Sequence, residues 1–194
     1  MHKGRLEAFS DGVLAVIITI MVLELHVPEG ADLAALATSV PTLIFYVLSF
    51  IYIGIYWNNH HHLMQATHSV TGPILWANLH LLFWLSLVPF ATAWMGEHHK
   101  ESLPVAAYGA VLILAAVAYT ILSRLIIAHE GPASTLAQAV GADVKGWFSL
   151  VLYATGFGLA FVTPMAAKLI YAAVAAIWFI PDRRIEKVVT SEKT

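Results

Sequence analysis

An all-α integral membrane protein is predicted, with six transmembrane helices and a first helix patterned like the wall of an ion pore. Three observations carry this reading. The 194 residues are 59% hydrophobic and only 11% charged, where ordinary soluble domains carry about 25% charge. Apolar stretches recur at lengths that cross a bilayer core, which takes about 20 helical residues. The first stretch nevertheless holds Arg5, Glu7, Ser10, Asp11, Thr19 and Glu24, and polar groups inside a membrane are costly and mark function.

The spans are expected at residues 5–27, 41–59, 73–94, 104–127, 145–161 and 164–180, with a tail at 181–194. The first stops at Pro28-Glu29-Gly30, a combination that ends helices. It is too long for a signal-peptide h-region, carries Asp11 inside it and lacks a small-residue cleavage site. Pro41 sits where an N1 proline opens the second span. Pro89 lies inside the third and is expected to kink it, because proline removes one backbone bond and crowds the preceding turn. Pro104 opens the fourth, and a very short turn separates the fifth from the sixth. The loop from Ala128 to Asp143 is read as holding a short surface helix. With no clear internal repeat, residues 1–194 form a single domain.

An even number of spans puts both termini on one side. The inside segments then hold Lys3, Arg5, Arg124, Lys145, Arg183, Arg184, Lys187 and Lys193, and the outside segments only Lys100 and Lys168. That asymmetry places both ends in the cytoplasm, with the membrane expected to be the cell membrane. The basic cluster Arg183, Arg184 and Lys187 reads as an anchor after the last span; no basic run long enough to track nucleic acid is present. Trp57, Trp76, Trp94, Trp147 and Trp178 fall near span ends, where the bilayer interface favours aromatic rings. There is no cysteine, which excludes disulfides, thiolate metal sites and a Cys nucleophile.

On a helical wheel at about 100° per residue, Arg5, Phe9, Gly12, Val16, Ile20, Leu23 and Val27 make one stripe about 80° wide. Thr19 sits on its shoulder, and Asp11 lies roughly opposite with Glu7, Ile18, Val22 and Leu25. The stripe by itself is compatible with ordinary helix packing. Asp11 cannot face lipid cheaply and is expected to turn into the bundle and find donors. The end of the second span, Trp57-Asn58-Asn59-His60-His61-His62, supplies them, with Trp57 or His60 as the expected partner.

These residues carry a resemblance. Arg5-Leu6-Glu7-Ala8-Phe9-Ser10-Asp11 is similar to the R-x-x-x-F-S-D signature of the lysosomal-type potassium channel family, the transmembrane protein 175 family. The segment Trp57, Asn59, His60, His61, the run from Asn78 through Pro89-Phe90, and the ending from Trp178 to Arg184 resemble its bacterial branch. The resemblance implies a homotetramer whose pore is lined by the first helix. It implies a hydrophobic constriction at Val16, Ile20 and Leu23 and a potassium-preferring layer at Thr19. At the narrowest position, where the family usually has isoleucine or leucine, this chain has the smaller Val16. Arg5, Phe9, Ser10 and Asp11, with Trp57, His60 and His61, match the family's network that holds the pore helix.

The expected function is therefore a potassium-permeable cation channel with potassium as permeant, no cofactor and no metal site. The T-V-G-Y-G loop that builds carbonyl filters is absent. Glu24, with Glu29 and Asp32 beyond it, falls near the outer mouth, where acidic groups concentrate cations; for Glu29 and Asp32 solvated loop charge is the simpler reading. Three rivals were weighed. A metal-dependent enzyme is disfavoured because His60, His61 and His62 project in three directions and no H-E-x-x-H occurs. A secondary transporter would show a second half mirroring the Pro89 break. A purely structural membrane protein leaves the charged residues of the first span unexplained. Proton conduction belongs to the same pore class and stays open.

Overall fold

A computed structural model describes residues 3–141 and 143–179, and among them every regular element is helical. In chain order these are α1 (Lys3–Leu23), α2 (Leu33–Gln65), α3 (Gly72–Ser86), α4 (Val88–Glu97), α5 (Ser102–Glu130), α6 (Thr135–Val140), α7 (Val144–Ala160) and α8 (Pro164–Phe179). Among the described residues four stretches are long and apolar enough to cross a membrane: α1, α2, α3 with α4 taken as one run, and α5. The chain is a multi-pass membrane protein. The tail 181–194, with Arg183, Arg184 and Lys187, lies outside the described residues.

Local chemistry moves several boundaries away from the sequence expectation. The second helix begins at Leu33, before Pro41, because the Asp32 carboxylate caps it by accepting from the Ala35 amide at 2.8 Å. Pro41 thus lies inside α2 and leaves one carbonyl of the preceding turn without its usual partner. The first helix ends at Leu23, so Val27 is not on its stripe and Glu24 sits just past its last turn. The third run is interrupted at Leu87, two residues before Pro89, whose missing N–H cannot continue the ladder. The helix α5 runs on to Glu130, past the expected end of its span, and the 131–143 connection holds the six-residue α6, capped by Ser134.

Two apolar cores share α2 and α5. One, built on α1, α2, α3 and α5, contains Leu6, Leu14, Ile17, Met21, Ile53, Leu63, Leu81, Leu85, Leu122 and Ile126. The other joins α2, α4, α5, α7 and α8 through Tyr52, Met95, Tyr108, Tyr153, Tyr171 and Val174. Its hydroxyls are satisfied internally, as buried polar groups require. Tyr52 donates to the Tyr171 carbonyl at 2.6 Å, Ser49 meets the Tyr108 hydroxyl at 2.9 Å, and Thr92 lies 2.7 Å from Ser49. The Tyr171 ring lies against Gly109 of α5 and Gly156 of α7, where any Cβ would collide with it. Small residues are what let membrane helices approach this closely. Lys168 is buried on α8 and donates to the His99 carbonyl at 2.7 Å.

Candidate pore face and its polar anchor

The first helix presents three faces, and each has a different fate. Leu6, Ser10, Leu14, Ile17 and Met21, spaced three and four apart, are buried against the core. The stripe read from the wheel is the open one: Phe9 is 51% exposed, Val16 54%, Ile20 42% and Leu23 78%. Phe9, Gly12, Val16 and Ile20 of this stripe form one wall of a groove of about 890 Å³, whose other wall is Ser86, Pro89, Phe90, Ala93, Trp94 and Glu97 of the third run, and Leu23 lies outside that lining. The kink at Leu87 puts Pro89 and Phe90 on that wall.

Thr19 is exposed beside this stripe, and its hydroxyl donates to the Val16 carbonyl in its own helix at 2.9 Å. Since a hydroxyl has one proton and two lone pairs, committing the proton to the backbone leaves the oxygen as a pure acceptor. Such an oxygen suits a cation or the water around one. Glu24 also lines the groove at its far end, opposite Glu97, which lies 3.8 Å from His26 on the surface.

The third face carries the acids. The Trp57 indole donates to Asp11 at 3.0 Å, so α1 and α2 are tied through the indole rather than through His60. His60 is buried and reaches α3 instead, with Nε2 2.7 Å from Asn78 Oδ1. Asn78 Nδ2 donates to Ser10 at 2.9 Å, and Ser10 donates to the Leu6 carbonyl at 2.9 Å. Every donor in this relay points toward Leu6, so the neutral His60 ring carries its proton on Nε2. Its Nδ1 is buried and has no hydrogen-bond partner among the described residues. His61 Nδ1 lies 3.5 Å from Glu7, and the His61 and Trp57 rings stack.

The expected network residues therefore do not all meet. Ser10 and His60 meet through Asn78, Asp11 meets Trp57, and His61 meets Glu7. Arg5 and Phe9 are exposed on the open side, and Arg5 forms no hydrogen bond or ion pair among the described residues. Asn78 is the residue that sequence reasoning did not place in the network. The signal available was an amide inside the run Leu75 to Leu85, which is apolar but for Asn78 and His80. Among the described residues no group of three or more His, Cys, Asp or Glu could hold a metal ion.

Residues 5–89 match the family model described as endosomal/lysosomal potassium channel TMEM175. A potassium channel of Chryseobacterium sp. (strain P1-3) is 57% identical over 187 residues, covering 96% of this chain and 97% of that one. The endosomal/lysosomal proton channel TMEM175 of Bos taurus is 29% identical over 147 residues, 68% of this chain and 31% of the cattle protein. Among solved structures, a lysosomal potassium-selective channel TMEM175 homolog from Chamaesiphon minutus superimposes with a TM-score of 0.79. The identity is 25%, over 93% of this chain and 97% of that one.

Proposed function

The chain belongs to the TMEM175 family of ion channels, and from that premise we propose that it is a homotetrameric, potassium-permeable cation channel of the cell membrane. In this reading residues 1–194 are one channel domain. Six spans (α1, α2, the kinked α3–α4 run, α5, α7 and α8) place both termini in the cytoplasm. Four copies of α1 surround the axis, with Val16, Ile20 and Leu23 turned inward.

One observation carries the reading: the apolar stripe of α1 is left open while the opposite sides of the same helix are buried or hydrogen-bonded. Exposed apolar surface costs little in lipid, so exposure alone is no argument. A helix this heavily fastened on its polar side is held in one rotation, with one apolar face presented outward. A ring of such faces blocks ions by dewetting when narrow and passes hydrated cations when it widens. Apolar walls offer no ligands to replace lost hydration, so preference for potassium falls to the Thr19 oxygens. The channel needs no cofactor in this scheme.

The test is reconstitution into liposomes with separate potassium and proton gradients, paired with native mass measurement of the detergent complex. Valinomycin-independent potassium flux from a four-chain complex is the expected result. Proton flux without potassium flux would instead favour the activity named for the cattle relative. A single subunit, or flux saturating like a carrier, would sink the channel reading.

A further inference from the structure

The side of α1 facing α2 carries a pattern in which the signature fixes only Asp11. Lys3, Glu7 and Asp11 are spaced four apart on α1, and Trp57, His61 and Gln65 are spaced four apart on α2. Residues four apart share one helix face. The two helices run antiparallel, so the sets meet in order. Lys3 Nζ donates to the Gln65 carbonyl at 3.2 Å, Glu7 lies 3.5 Å from His61 Nδ1, and Asp11 accepts from Trp57 at 3.0 Å.

The middle rung is polarised by its neighbours. The Gln65 side-chain nitrogen lies 2.8 Å from His61 Nε2 and can only donate, so Nε2 accepts. The proton of a neutral His61 is therefore on Nδ1, facing the Glu7 carboxylate. His61 also stacks on Trp57, which holds the last rung. The pair thus links all three rungs.

Beyond Asp11 the fastening stops. Between Gly12 and Leu23, among the described residues, no α1 side chain hydrogen-bonds to another helix, and Thr19 bonds only within its own. Leu14, Ile17 and Met21 hold that half by packing alone. Gly12 sits at the boundary with open space around its Cα.

We propose that Glu7 and His61 are a positioning pair that clamps the first third of α1 to α2 and so limits the excursions of the Val16–Leu23 half. The inference rests on α1 being the pore wall for its consequence in conduction, but the clamp itself can be read without conduction. Because the chain has no cysteine, a single Val16→Cys substitution gives one labelling site for a water-soluble methanethiosulfonate. On that background Glu7→Gln and His61→Ala are expected to speed labelling about threefold each, the scale of one net polar contact. The exchange Glu7→His with His61→Glu is expected to return the rate to that of the parent. Elution of each variant from gel filtration reports folding, and should Glu7→Gln elute abnormally, Glu7→Asp carries the test with a smaller increase. Unchanged labelling in both single variants, or an exchange variant no slower than the worse single one, overturns the proposal. Potassium flux through the unmodified protein is measured alongside. Its absence would remove the channel reading while the labelling rates still decide the clamp.

Discussion

Asn78 Nδ2 donates to Ser10 Oγ at 2.9 Å, across the contact between α3 and α1, with both residues fully buried. This bond orients the amide, and the amide in turn sets the tautomer of His60. Replacing Asn78 by leucine leaves Ser10 with one partner fewer and the His60 Nε2–H with none. The expected loss is about 1–3 kcal/mol for each buried group left unsatisfied. Thermal unfolding in detergent checks it: Asn78→Leu melts lower than Ser10→Ala, which removes only the last link. Equal melting temperatures for the two variants would show the relay to be energetically idle.

Asp11→Ala leaves the Trp57 indole N–H without its acceptor at 3.0 Å. Assembly or membrane yield is expected to fall, with a stability loss of about 1–3 kcal/mol, while the double variant Asp11→Ala with Trp57→Phe, which removes the donor as well, costs less. Size-exclusion profiles of the two variants decide. Intact complexes with normal conductance in Asp11→Ala would refute the anchoring role.

Thr19→Val keeps the shape and removes the acceptor oxygen beside the Val16 turn. The potassium-to-sodium permeability ratio is expected to fall by a factor of about three, matching the ~0.6 kcal/mol typical of one polar contact in a membrane protein. Reversal potentials under biionic conditions measure it. An unchanged ratio takes Thr19 out of the selectivity layer.

Ile20→Ser puts a hydroxyl on the open stripe, where the native side chain is 42% exposed in the subunit. If dewetting blocks the pore, a polar ring wets it and the resting current rises. Bilayer recordings of the variant against the parent show this directly. A resting current no larger than the parent's would mean that the constriction lies elsewhere.

Gly156→Ala adds a methyl group where the Tyr171 ring already stands. Overpacking of this kind costs about 1–3 kcal/mol. The α7–α8 pair should loosen first, read as a lower melting temperature that Tyr171→Leu in the same chain partly restores. A variant as stable as the parent would show that the ring has room to shift.

Much of α1 was legible before any coordinates. Its 3.6-residue period separated Phe9, Val16, Ile20 and Leu23 from Asp11, and the cost of a carboxylate in lipid demanded a donor, with Trp57 among the few available. Composition alone determined that the chain lives in a membrane. The period could not say which helix stands opposite each face. It left Trp57 and His60 as equal partners for Asp11, and only the packing of α3 between them, through Asn78, gave the imidazole a different bond. Nor could it see that Asp32 would cap α2 ahead of Pro41, since a cap wins by a local hydrogen bond whose geometry depends on the loop before it. Periodicity is a property of one helix, and pairing is a property of two. What the amino acids determined was therefore a set of faces, and what the tertiary structure decided was which face meets which.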